Sequence, residues 1–419
     1  MSDTVHFITL TLLKGVTLTI MKRFNIFSII IGLALLVSAC SGAAAATPPA
    51  TPTPTMDPNM PGMDMSDGSN TGNTKKDGMN EGMMRPTGAL TATPGAVTPT
   101  EMPGAGADTG EGMGAMNMEG PVSSEGVPLA TETLGGQPLA YTQDGEVKVF
   151  ELTTRPVRWP ILKDVYVTAW TYNGTVPGPM IRVTEGDQVR IILKNELPDA
   201  TSIHWHGLPV PNEMDGVPPF TQKAIEPGET FTYEFTATSA GTFMYHSHVN
   251  TDEQIMLGLY APFIIDPKSP EHEKPDVDEM LMLSEWTIGP DGETYPTMPM
   301  AGAEPNYFTI NGKSFPETQS ITVKKGDVVR LRLAGIGQFT HPMHLHGASF
   351  KIVAVDGYPV PEAAQLTRDT LAVNPGERYD IEFTATNPGT WVFHCHVLHH
   401  VTNNNVEPGG LIYVINVEA

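Results

Sequence analysis

One phrase occurs twice in the second half of the chain: PGETFTYEFTATSAGTFMYHSHV at 227–249 and PGERYDIEFTATNPGTWVFHCHV at 375–397. Two shorter pairs keep the same order. VTEGDQVR (183–190) returns as VKKGDVVR (323–330), and the HWHG at 204–207 returns as HLHG at 344–347. A chain that repeats itself in this way must fold as two units of one kind. Each copy carries short alternating runs, such as MIRVTEGDQVRIIL, TFTYEFTAT and SITVKKGDVVRLRL, that end at Gly, Pro, Asn or Asp. Period-two alternation between turn residues is an all-β signature. Two tandem β-sandwich domains follow, 141–268 and 269–419, each of a size suited to that architecture.

The stretch before them reads differently. MKRFNIFSIIIGLALLVSAC (21–40) has a basic start, an apolar run and small residues before a cysteine, as export signals do. Residues 1–40 are therefore expected to be an export segment, with Met21 the natural start. VSAC resembles a lipobox, which would make Cys40 a lipid anchor. An uncleaved anchor is the alternative, although the run is short for a membrane span. Residues 41–140 are rich in Ala, Thr, Pro, Gly and Met with few large apolar side chains, so they are expected to form a disordered tether. Eleven methionines between Met56 and Met118 add soft thioether sulfur, which favours Cu(I). The formal charge of −23 speaks against nucleic acid as a partner.

Ten of the 13 histidines fall into four motifs. They are His204 and His206; His246 and His248; His341, His344 and His346; and His394, His396 and His400. On a strand, residues two apart share a face, so each HxH pair aims two imidazoles at one place. Four such pairs at equivalent points of a repeat indicate metal, because that many buried imidazoles would otherwise need other partners. Imidazole and thiolate suit copper, zinc or iron, and two His with one Cys and a weak axial group form the blue-copper arrangement. With Cys40 consumed by lipid, Cys395 is the lone thiol of an exported protein. It can supply the thiolate, with His341 and His400 as imidazoles. His394 and His396 then point to the opposite face, joined to Cys395 by a few covalent bonds.

These motifs resemble those of the multicopper oxidases, the laccase-like family built from cupredoxin domains. The resemblance covers about 141–419. It implies Greek-key cupredoxin folds and about four copper ions per subunit, of types 1, 2 and a type 3 pair. By matching position, His341, Cys395 and His400 would be the type 1 ligands, and His204 and His344 would hold type 2. The type 3 pair would fall to His206, His246, His248, His346, His394 and His396. In domain 1 the positions matching the type 1 ligands are Thr201, Ser247 and Asp252, so only domain 2 would carry a blue site. The segment VTNNNVEP (401–408) follows the last ligand, and no Met follows Met343. The family usually places an axial Met, Leu or Phe soon after that histidine, so the resemblance makes Leu411 the expected axial residue, with a raised type 1 potential as the consequence. Val401 replaces an acid found in several relatives. Asp215 matches an acidic position near the cluster that could orient water or relay protons. Asp252 and Glu253 are weaker candidates for that role. Trp205 and Trp391 are expected to pack the sandwiches, and His399 to face solvent or the substrate side of the type 1 site.

Two-domain relatives assemble as homotrimers with clusters between subunits, and the same is expected of this chain. A small reductant, a phenol or a low-valent metal ion, would give single electrons near His341 and His400. They would pass by Cys395 to His394 and His396, and O₂ would leave as water. Alternatives are a Cu(I), Fe(II) or Mn(II) oxidase, a copper nitrite reductase and a copper-sequestering lipoprotein. The full set of HxH pairs disfavours the reductase.

Overall fold

In the computed structural model, residues 6–11, 17–22, 120–269, 274–296 and 305–419 are described. The export segment beyond Lys22, Cys40, the methionine run and His272 lie outside them. His6–Thr11 and Thr17–Lys22 pair as an antiparallel hairpin.

The alternating runs become strands. Ser320–Lys324 buries every second residue, and Thr230–Thr236 buries Tyr233 and Phe235 on one face. In the first domain one sheet contains Val147–Leu162, Gln188–Asn195 and Thr230–Thr236, and the other is ordered Ile181–Thr184, Tyr260–Asp266, Gly241–His246, His204–His206. The second domain repeats this order with Ser320–Lys324, Ile412–Glu418, Gly389–Cys395 and His341–Leu345, and adds Thr370–Val373 at the edge. Both copies begin the sheet with a parallel pair and continue antiparallel. These are the two all-β domains that the repeat predicts. Among the described residues helix is confined to Thr251–Met256 and short 3₁₀ turns, one of which is Leu398–Val401.

Each sandwich encloses its own core, one around Trp205, Tyr233 and Phe263, the other around Phe308, Phe350 and Phe393. A third apolar cluster joins them. Trp159, Ile161 and Val176 of the first domain pack with Met282, Trp286 and Ile336 of the second. The indole N–H of Trp159 donates to the Gly312 carbonyl at 2.7 Å. Fully buried aromatic contacts of this kind make the domain junction part of the fold rather than a loose hinge.

The tether boundary near 140 needs correction. Residues 120–140 run along the domains: Val122 donates to Thr294 at 2.8 Å, Ala130 to Arg158 at 3.0 Å and Leu139 to Met180 at 2.8 Å. Their backbone N–H groups find carbonyl partners on strand edges, which composition does not reveal.

Candidate copper centres

Cys395 ends the strand Gly389–Cys395 with its side chain in the second core, and it is fully buried. Register places it opposite Met343, two residues along from His341. The 3₁₀ turn Leu398–Val401 then brings His400 back over the same spot. The His341 Nδ1, His400 Nδ1 and Cys395 Sγ atoms form a triangle with edges of 3.1, 3.6 and 4.0 Å. Trigonal ligands at metal–N and metal–S lengths of about 2.0 and 2.3 Å would stand roughly 3.5 and 3.7 Å apart. The donors present fit a copper ion. Burial pushes the Cys395 thiol up to about 12 and the His400 imidazolium down to about 3, so the protein surroundings alone favour a neutral thiol and a neutral imidazole. Phe308 stacks on His400 with ring centres 4.1 Å apart. Leu411 is fully buried, and its carbonyl accepts from Cys395 N–H at 3.1 Å while its N–H donates to the His400 carbonyl. The expected axial residue thus borders the site through both of its backbone groups.

Eight histidines form two quartets, one per domain. In each HxH the middle residue points into a core: Trp205, Ser247, Leu345 and Cys395 are buried. Register sets His204 opposite His246 and His344 opposite His394. Ring centres in the first quartet lie 5.3–5.7 Å apart between His204 and each of its three partners. In the second quartet His344 lies 4.8, 5.9 and 5.5 Å from His346, His394 and His396. Four of the rings are anchored through Nδ1 to a carbonyl: His204 to Asp215, His246 to Ser247, His344 to Asp369 and His394 to Cys395, at 2.8–2.9 Å. A carbonyl only accepts, so Nδ1 carries the proton and the Nε2 lone pair faces outward, as a metal ligand requires. Nitrogens of His206 and His246 approach to 3.1 Å, and those of His346 and His394 to 3.0 Å. Burial lowers His246 to about 3 and His206 to about 4, so both stay neutral and able to bind metal.

Among the described residues, the close ring pairs within these eight join histidines of one domain. His206 instead approaches the backbone of Gly376, where an added Cβ would lie 3.4 Å from its ring. Gly376 lies beyond Val373, which pairs with His341, whereas His344 is at the other end of that strand pair.

Asp215 stands beside His204 as expected, with Oδ1 3.4 Å from Nδ1, although its carbonyl makes the shorter contact. Asp252 is a correction. It is exposed, and Gln254 takes the third place beside Thr201 and Ser247. The Thr201 hydroxyl donates to Gln254 Oε1 at 2.8 Å, the Ser247 hydroxyl donates to the same oxygen, and Gln254 Nε2 donates to the Ala200 carbonyl. Where domain 2 converges sulfur and imidazole, domain 1 has a self-satisfied polar plug. Trp205 is core, as expected, and Trp391 packs at the edge of the second core. His399 is half-buried, with Nε2 3.2 Å from the Pro305 carbonyl. Sequence reasoning missed Glu285, which contacts His341. Its signal was an acid inside the apolar strand MLMLSEWTI.

Residues 153–270 and 288–406 each match a family described as multicopper oxidase. The crystal structure of blue copper oxidase from Nitrosomonas europaea is 42% identical, with a TM-score of 0.60, over 64% of this chain and 85% of that one. The chain belongs to the multicopper oxidase family. Within the family it is 31% identical to multicopper oxidase MmcO of Mycobacterium tuberculosis over 63% of this chain. It is 38% identical to copper resistance protein A of Pseudomonas syringae pv. tomato over 38% of this chain. It spans 57% of the first of these multicopper oxidases and 25% of the second protein.

Proposed function

We propose that the protein oxidises a small reductant one electron at a time at the His341–Cys395–His400 site and reduces O₂ to water at a second centre built from the two quartets. The observation that carries this reading is the three-donor triangle, whose Cys395 stands between the cluster histidines His394 and His396 in the chain. Copper held by these residues would supply one-electron redox chemistry and O₂ reduction. His341, Cys395 and His400 would hold type 1 copper, with Leu411 axial, and His204 and His344 type 2. His206, His246, His248, His346, His394 and His396 would hold the type 3 pair. Cys395 lies between His394 and His396 in sequence, so its thiolate is linked to the cluster by a short covalent path. Asp215 sits where it can hold His204 in orientation and exchange protons with cluster water.

That the close ring pairs among these eight histidines each stay within one domain supports a homotrimer in which domain 1 of one subunit meets domain 2 of the next. The kinship with copper resistance protein A favours Cu(I) as a second reductant beside phenols. Export through residues 21–40, with lipid on Cys40, belongs to the same reading. The test is copper content with optical and EPR spectra of the full chain in air, followed by assays with phenols, Cu(I) and Fe(II). About four copper ions per chain, a strong blue band and a type 2 signal are expected. About two ions per chain without a type 3 pair would rule out O₂ reduction and favour nitrite reduction or copper sequestration.

A further inference from the structure

The ring of His341 is held from behind by a carboxylate. Its Nε2 lies 2.7 Å from Glu285 Oε1, and both side chains are fully shielded from solvent. The other oxygen, Oε2, accepts the Gln338 backbone N–H at 3.2 Å. Gly337 presses on the same group, since a Cβ there would stand 1.5 Å from Oε2. The carboxylate therefore has one seat, fixed by the ring, an amide and a residue without a side chain.

That seat is peculiar to the domain with the blue-copper donors. Met282 pairs with Ala334 in domain 2, and Thr153 pairs with Lys194 in domain 1 at the same point of the repeat. Three residues further along each strand stand Glu285 and Pro156. Domain 1, with its polar plug, has no carboxylate at this register. A lone buried anion is costly unless a positive group compensates it. An ion bound between His341, Cys395 and His400 would supply that compensation.

We propose that Glu285 is the positioning residue of the type 1 site, accepting the Nε2–H of His341 so that Nδ1 faces Cys395, and lowering the reduction potential of the ion held there. The inference rests on the type 1 assignment made above. The geometry sets the tautomer, because an acceptor at Nε2 leaves the lone pair on Nδ1. The sign follows from charge. An anion behind a ligand stabilises the more positive, oxidised state over the reduced one. It thereby opposes the increase in potential expected from an axial leucine.

The test is a redox titration of the blue absorption, with EPR, on the full copper-loaded protein and on Glu285→Gln and Glu285→Asp. Glu285→Gln removes the charge and nearly keeps the shape. It is expected to retain type 1 copper, raise the potential and shift the EPR hyperfine splitting, with Glu285→Asp in between. Wild-type potential and EPR in Glu285→Gln would overturn the proposal. If that variant does not fold, Gly337→Ala displaces the carboxylate instead. A shift in potential there supports the assignment, and no shift overturns it. A wild-type protein without a blue band would sink the type 1 reading itself and take this proposal with it.

Discussion

In Cys395→Ser the sulfur that closes the triangle with His341 and His400 becomes a hydroxyl, the group that already stands at Ser247. A hydroxyl is a poor ligand for the soft copper site. The blue band should vanish while the cluster histidines, on the opposite face, keep their EPR signal. Outer partners of metal ligands are worth 10–100-fold, so loss of a ligand should lower oxidase turnover by roughly a hundredfold or more. A retained blue band would remove Cys395 from the site. The plug of domain 1 invites the converse experiment. Gln254→Ala would leave the Thr201 and Ser247 hydroxyls without their shared acceptor in a fully buried place. That should cost about 1–3 kcal/mol in denaturant unfolding of the metal-free protein, with His246 and His248 still present. No change in the unfolding midpoint would show that the plug is not structural.

At the scale of elements, the strands and the HxH pairs were legible because period two and the repeat coincide. Both facts put the middle residue of HWH, HSH, HLH and HCH in a core and the histidines outside it. Asp252 was misplaced because counting from the strand end assumes that the same turn follows. In domain 2 the chain enters a 3₁₀ turn, Leu398–Val401, whereas in domain 1 it enters the α-helix Thr251–Met256, and the fourth helical residue rather than the second faces the pocket. Glu285 was missed for a different reason. Its partner is 56 positions away, and no local pattern marks such a contact. The turn after HLH makes a further prediction. Gly347 adopts φ +79°, and a Cβ there would lie 2.4 Å from the Trp391 ring. Gly347→Ala combines left-handed strain with a clash. It should lower stability by about 1–3 kcal/mol and disturb the adjacent His346. Unfolding curves read the first effect, and loss of cluster copper with the blue band retained reads the second.

Across the whole molecule, the proposal that the two quartets are halves of a centre shared between subunits can be tested without seeing the assembly. A domain 1 of one subunit placed on domain 2 of the next is a heterologous contact, which closes into a ring when the rotation allows. Consider His248→Ala, which damages the first quartet, and His396→Ala, which damages the second. Each variant alone should be nearly inactive in O₂ reduction while keeping its blue band. When the two are unfolded together, mixed in equal amounts and refolded with copper, a junction regains two intact halves only where a His396→Ala subunit offers its domain 1 to the domain 2 of a His248→Ala subunit. Random assembly gives that combination at about a quarter of the junctions, so roughly a quarter of wild-type activity should return. The electron path survives at those junctions, because His341, Cys395, His394, His396 and His400 all come from the same undamaged second domain. If one chain instead folded both quartets onto a single cluster, every cluster in the mixture would carry a lesion and activity would stay at the level of the separate variants. Recovery near a quarter would establish clusters shared between subunits, and no recovery from variants that refold and regain their blue bands would overturn the ring.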